Sequence, residues 1–348
     1  MLALYLLQLT GWQIGDFSRA GIDNPILKPS ETASFNCPMR GEKVRFEHDH
    51  VFNPAAAVLN GKVYLLYRAE DDHGAGIGGH TSRIGLAVSE DGLHFKKRPT
   101  PVLFPGNDAN KKYEWPGGCE DPRVVQNLDG EFVLTYTAWD RKTARLCVAT
   151  SRDLIHWTKR GPAFSGTSFV DTWSKSGSIV TTLVHSHLVA AKVKGKYWMY
   201  WGEGTLNLAS STDLVHWNPS VGSDGKLLGN LTTRSGSFDS ALVESGPPAL
   251  LTKDGIVLIY NGKNDKAKGD PNLGDGAYAA GQVLFDPNDP GHVLDRSQTY
   301  FLKPDLKQEK TGQYTAGTVF TEALVRFKGR WILYFGSADS YVGAAQAR

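Results

Sequence analysis

The chain has 348 residues, with 38 Lys+Arg against 36 Asp+Glu, and this near balance excludes the basic excess expected of a nucleic-acid binder. Apolar residues make up 41% and run along the whole length, which excludes a disordered chain. Gly at 38 and Pro at 17, with Trp at 9 against only 3 Met, point to many short strands joined by tight turns.

In chain order, residues 1–9, MLALYLLQL, are apolar but lack the basic start and small-residue cleavage site of a secretory signal. They are too short to span a membrane and read either as the trimmed end of a signal or as an apolar segment lying on the domain. With no complete signal peptide, a bacterial periplasmic and a cytoplasmic location are both open.

A repeat follows. Its first copy is GKVYLLYRAED (61–71) with SRIGLAVSEDGLHF (82–95), and its second is GEFVLTYTAWD (130–140) with ARLCVATSRDLIHW (144–157). The third is GKYWMYWGEG (195–204) with LNLASSTDLVHW (206–217), and the fourth is DGIVLIYNGKN (254–264) with YAAGQVLFDPNDP (278–290). The last is GRWILYFGSAD (329–339) with YVGAAQ (341–346). Tyr67, Tyr136, Tyr200, Tyr260 and Tyr334 fall at matching places, 60 to 74 residues apart. The apolar runs have strand length and strand chemistry, and no stretch keeps a helical period. Units of about four short strands, repeated five times, predict an all-β fold, a five-bladed β-propeller. The short last copy leaves room for the N-terminal segment. We therefore expect residues 1–40 to be an extension packing on or closing the propeller, and 41–348 to be the catalytic domain.

The turns SRDLIHW and STDLVHW carry His156, Trp157, His216 and Trp217. Because the pattern recurs between copies, it reads as a structural Asx-type turn, and catalytic groups should be residues that differ between copies. Cys37, Cys119 and Cys147 have no metal-type spacing and read as buried thiols. In HSH (185–187) the two His face the same way without a third neighbour, so no metal is expected there. No nucleotide loop or cofactor motif is found, and no cofactor is expected.

A propeller gathers its innermost strands around an axis, so the polar residues opening those strands should share one cavity. The openings FNPAAAV, CEDPRVV, KSGSIV, ESGPPAL and TEALVRF supply Asn53, Glu120, Asp121, Arg123, Lys175, Glu244 and Glu322. Glu203, in YWGEG, interrupts an aromatic strand end. Arg68, Asp71 and Arg83 lie near strand ends of the first copy and, with Asn53, Glu120 and Arg123, are expected to hold a sugar ring. Carboxylates, cations and aromatic rings together suit a sugar: the rings stack on its apolar faces and the charges take its hydroxyls.

NPAAAVLNGKVYLLYRAED, GGCEDPRVV, KSGSIV, ESGPPALL and ALVRFKGRWILYFGSADSYVGAA resemble glycoside hydrolase family 130, over about residues 22–348. The resemblance implies a five-bladed propeller acting on β-mannosides, with the Asp of EDPR, Asp121, as proton donor. Most of that family are phosphate-dependent phosphorylases, and a smaller branch hydrolyses β-1,2-mannosidic linkages. Glu203 stands where the phosphorylases carry phosphate-binding cations, and a carboxylate there repels a phosphate dianion. In the hydrolase branch the base candidates map onto Glu203 and Glu244. The expectation is an inverting, exo-acting β-1,2-mannosidase acting on manno-oligosaccharides, needing neither nucleic acid nor membrane. The alternatives are a phosphorylase releasing mannose 1-phosphate, which would have to build its anion site from Lys175, Arg145 and Arg234, and a non-catalytic carbohydrate-binding propeller.

Overall fold

The computed structural model describes residues 11–348, and the expectation for residues 1–9 lies outside the described residues. The fold is all-β: the helical elements among the described residues are one short turn, Lys111–Glu114, and a 3₁₀ turn, Lys307–Glu309. None is long and apolar enough to cross a membrane.

The strands form consecutive antiparallel ladders that follow the sequence copies. His50–Leu59, Lys62–Glu70, Ser82–Ser89 and Lys96–Lys97 make the first. Gly118–Gln126, Phe132–Trp139, Ala144–Ser151 and Thr158–Pro162 make the second. The third runs from Ser178–Val184 through Lys196–Trp201 and Asn207–Ser211 to Asn218–Pro219. In the fourth the first strand is split into Leu242–Ser245 and Ala249–Leu251, followed by Ile256–Lys263, Tyr278–Asp286 and Asp289–Arg296. The split falls at Pro247 and Pro248, which have no N–H to give a ladder. The last ladder has Val319–Phe327, Arg330–Ser337 and Tyr341–Ala347, and Ser18 and Leu27 bridge its outer strand at Gln346 and Val342.

The repeated tyrosines explain why the copies look alike. All five are fully buried on the second strand of their ladders. In the first and fourth, the residue opposite on the third strand is Gly85 or Gly281, and a Cβ there would come within 3 Å of the ring. Each phenol then needs an acceptor. Tyr67 donates to Glu47 (2.5 Å), Tyr136 to Glu114 (2.7 Å) and Tyr260 to Asp239 (2.7 Å). Tyr200 and Tyr334 donate to the carbonyls of Pro290 and Gly92. The buried carboxylates are matched by Lys97, Lys159 and Arg234.

The Ser–Asp–His turns are the structural device their recurrence predicted. Asp91, Asp153 and Asp213 each accept two backbone N–H bonds and face a histidine Nδ1 on the same turn, while Ser89, Ser151 and Ser211 cap the same loop. The cysteines are buried and free.

Candidate active site

Three inner strands carry a β-bulge at the place where the sequence puts a polar residue. Register slips between Phe52 and Pro54, between Glu120 and Arg123, and between Thr321 and Ala323. The residues left out of the ladder include Asn53, Asp121 and Glu322. Asn53 and Asp121 both have φ of 47°, a left-handed conformation that non-glycine residues adopt only under constraint. Each precedes a proline, which could not have donated to the ladder anyway. A bulge turns a side chain out of the pleat, and here it turns Asn53 and Asp121 toward each other: Asn53 Nδ2 donates to Asp121 Oδ1 at 2.9 Å.

Arg68 ties this corner together. It lies 2.6 Å from Glu70, 3.0 Å from Glu120 and 3.2 Å from Asp121, with Ser82 accepting from its Nε. The guanidinium also sits over the Phe52 ring. A buried cation needs such partners, and three carboxylates around one Arg leave the corner net negative.

Across from Asp121 lies a second group. Lys175 Nζ is 4.0 Å from Asp121, 3.8 Å from Glu203 and 3.9 Å from Glu244. Glu203 and Glu244 are brought side by side by an isolated antiparallel bridge between their backbones. Ser176, in a left-handed conformation, donates to Glu244 through its hydroxyl. Trp173 Nε1 donates to Glu203 Oε2 at 2.9 Å. Asp121 and Glu244 are almost wholly buried, whereas the Lys175 and Glu203 side chains keep 18% and 29% of their surface and so open the site to solvent.

The electrostatics divide the carboxyls. Burial pushes the Glu120 carboxyl up to about 7, Arg68 opposing and Asp121 adding. Burial also works to raise Asp121, but Arg68, Lys175 and the Asn53 hydrogen bond outweigh it and hold that carboxyl below its ordinary range. Glu244 is pushed up to about 6 by burial and by Glu203, against Lys175. The Lys175 ammonium is raised, because Glu244, Glu203 and Asp121 outweigh its burial.

The structure thus brings Asn53, Arg68, Glu120, Asp121, Lys175, Glu203 and Glu244 together. The other candidates are committed to partners of their own. Asp71 and Arg83 form a fully buried pair at 2.8 Å, with Arg83 also donating to the Thr81 carbonyl and reaching Cys37, so they brace the wall rather than face the opening. Arg123 lies 2.7 Å from Glu322 and donates to the carbonyls of Asp121, Ser245 and Gly246; this buried pair adjoins the site, and burial pushes Glu322 well up, with Arg123 opposing and Asp121 and Glu244 adding. Arg145 is bound by Asp140 and Asp171, and Arg234 by Asp239.

Asp339, which sequence reading did not name, also lies near this corner. Burial pushes it up to about 7, with Arg68 opposing and Asp121 and Glu70 adding, which places it at the same corner. The signal was present: the SAD of the last copy matches the AED ending in Asp71, and Asp71 has Arg83 as partner. Among the described residues, His50, Glu70 and His80 have ligand-type atoms within 4.8 Å of one another. Glu70 is already engaged by Arg68 and Gln313.

A carboxyl corner backed by Arg68, facing two glutamates across a lysine, offers the opposed acids that cleavage of a glycosidic bond uses. The chain belongs to glycoside hydrolase family 130: the family model, described as beta-1,4-mannooligosaccharide phosphorylase, matches residues 21–348. A 1,2-beta-oligomannan phosphorylase of Thermoanaerobacter sp. (strain X514) is 32% identical over 93% of this chain and 94% of its own. A solved structure 50% identical, with TM-score 0.95 over 97% of this chain and 95% of its own, comes from a study described as "The GH130 family of mannoside phosphorylases contains glycoside hydrolases that target beta-1,2 mannosidic linkages in Candida mannan". A glycosyl hydrolase from Bacteroides ovatus is 49% identical, with TM-score 0.95 over 97% of this chain and 95% of its own.

Proposed function

We propose that this protein cleaves β-1,2-linked mannosides one terminal residue at a time, with inversion, and that water is the nucleophile. Asp121 protonates the glycosidic oxygen, directly or through a sugar hydroxyl. Glu203 and Glu244 hold and deprotonate the water. Asn53, Arg68, Glu120 and Asp339 bind the terminal mannose. Against the effect of burial, Arg68, Lys175 and Asn53 hold Asp121 below its ordinary range in the free site, so it must take up a proton, from solvent or from the neighbouring Glu120, as bound sugar loosens those contacts before it can act as donor.

The observation that carries this reading is the pair Glu203–Glu244 around a single lysine. Two carboxylates beside the reacting carbon repel a phosphate dianion and suit a water that must lose a proton. Arg145 and Arg234, the cations that might have rebuilt an anion site, are committed to Asp140, Asp171 and Asp239. The solved relatives near 50% identity, described in terms of glycoside hydrolases, support the same reading.

The second reading is phosphorolysis, and the names of the curated relatives back it more directly than they back hydrolysis. In that case Lys175 would carry the phosphate. Incubation with β-1,2-mannobiose, with and without inorganic phosphate, separates the two. Mannose alone in both supports hydrolysis; mannose 1-phosphate formed only with phosphate establishes the alternative.

We further read the five ladders as the blades of a propeller, with residues 1–40 as an extension and 41–348 as the catalytic domain. The bridges of Ser18 and Leu27 to the last ladder support that reading.

A further inference from the structure

Trp173 is the exposed aromatic at the open side of the site, with 48% of its surface accessible. It is not loose. Its Nε1 is bound to Glu203 Oε2 at 2.9 Å, and its ring meets Trp139 edge to face at 5.7 Å. Trp139 is itself fixed: its Nε1 donates to the Gly78 carbonyl at 3.3 Å, and its ring lies so close over Gly117 that a Cβ there would be 2.1 Å from it. A braced line therefore runs from Gly117 through Trp139 and Trp173 to Glu203.

We propose that Trp173 links the leaving-side sugar to Glu203: its N–H orients the Glu203 carboxylate, and its exposed face stacks on the mannosyl ring beyond the scissile bond. The groups that would hold the terminal ring, Asn53, Arg68, Glu120 and Asp121, are buried. A half-exposed aromatic at the solvent side therefore meets the ring that projects outward. Trp173 is a positioning residue toward Glu203 and a binding residue toward the sugar. One carboxylate oxygen held by the indole and the other turned to Lys175 leave Glu203 little rotational freedom.

This inference rests on the proposed activity, and two variants test it apart from that reading. Trp173→Phe keeps a stacking face and removes the N–H; Trp173→Ala removes both. With β-1,2-mannotriose, measured as total mannoside consumed, Trp173→Phe should lower kcat about tenfold, the scale of one hydrogen bond to a charged group, with KM within twofold of the parent. Trp173→Ala should in addition raise KM about tenfold. Both should melt within a few degrees of the parent, because a side chain this exposed adds little to folding. A Trp173→Phe variant with the parent's kcat, or a Trp173→Ala variant with the parent's KM, overturns the inference while the activity stands. A parent that consumes no β-1,2-mannoside overturns the functional reading, and the inference with it.

Discussion

Glu203 and Glu244 face each other across an isolated backbone bridge, and Lys175 Nζ lies 3.8 Å from one carboxylate and 3.9 Å from the other. The two acids come from different ladders, so their meeting is a property of the fold rather than of either strand. Glu203→Gln and Glu244→Gln keep shape and hydrogen bonding but remove the base. Each should lower kcat about a hundredfold or more, as should Asp121→Asn. Steady-state rates on β-1,2-mannobiose check this; a parent-like rate in Glu203→Gln would remove that residue from the mechanism.

Glu244 works as a base only when deprotonated, and burial and Glu203 push it to about 6 against the pull of Lys175. Activity should therefore rise with pH through about 6. Lys175→Met removes the group that lowers the Glu244 carboxyl, so the acid limb of the kcat/KM profile should move to higher pH. A limb that stays in place would show that another group sets it.

Arg68 pairs with Glu70, Glu120 and Asp121 at once. Arg68→Ala should abolish measurable turnover yet cost modest stability, because the freed carboxyls can take up protons instead of remaining as buried charges. Arg68→Lys should not rescue, since a point charge cannot span three acids. Equal losses of activity and melting temperature in Arg68→Ala would reduce the residue to scaffolding.

Glu114 is the acceptor for Tyr136 and a partner of Lys159, and neither of these bonds involves a residue of the acid corner. Glu114→Ala leaves a buried phenol without its acceptor and Lys159 with only Asp108 and the Phe104 carbonyl, and should destabilise the fold by about 1–3 kcal/mol. Chemical denaturation measures this, and activity per folded molecule should be unchanged.

The repeat was legible because the ladders share parts: a buried tyrosine in all five, a facing glycine in some, and a Ser–Asp–His turn in the first three. Asn53, Asp121 and Glu244 stood out because they broke that sameness at strand starts. Asp71 and Arg83 misled for a physical reason. A cation and an acid at strand ends look alike whether they face a cavity or each other, and only the packing of Cys37 and Thr81 around Arg83 decides. Asp339 was hidden by the opposite effect: it closes the last copy as Asp71, the structural partner of Arg83, closes the first, and only the fold brings it near Arg68 and Asp121. The bulges at Asn53 and Asp121 were announced by the following prolines.

The central claim, that Glu203 and Glu244 activate water on the face opposite the leaving group, is tested most directly by running the reaction on β-1,2-mannobiose in ¹⁸O-labelled water with inorganic phosphate present. Early products are followed by NMR and mass spectrometry. The account predicts that mannose from the cleaved end appears first as the α-anomer with ¹⁸O at C1. Unlabelled mannose 1-phosphate, or label arriving first in the β-anomer, would contradict it.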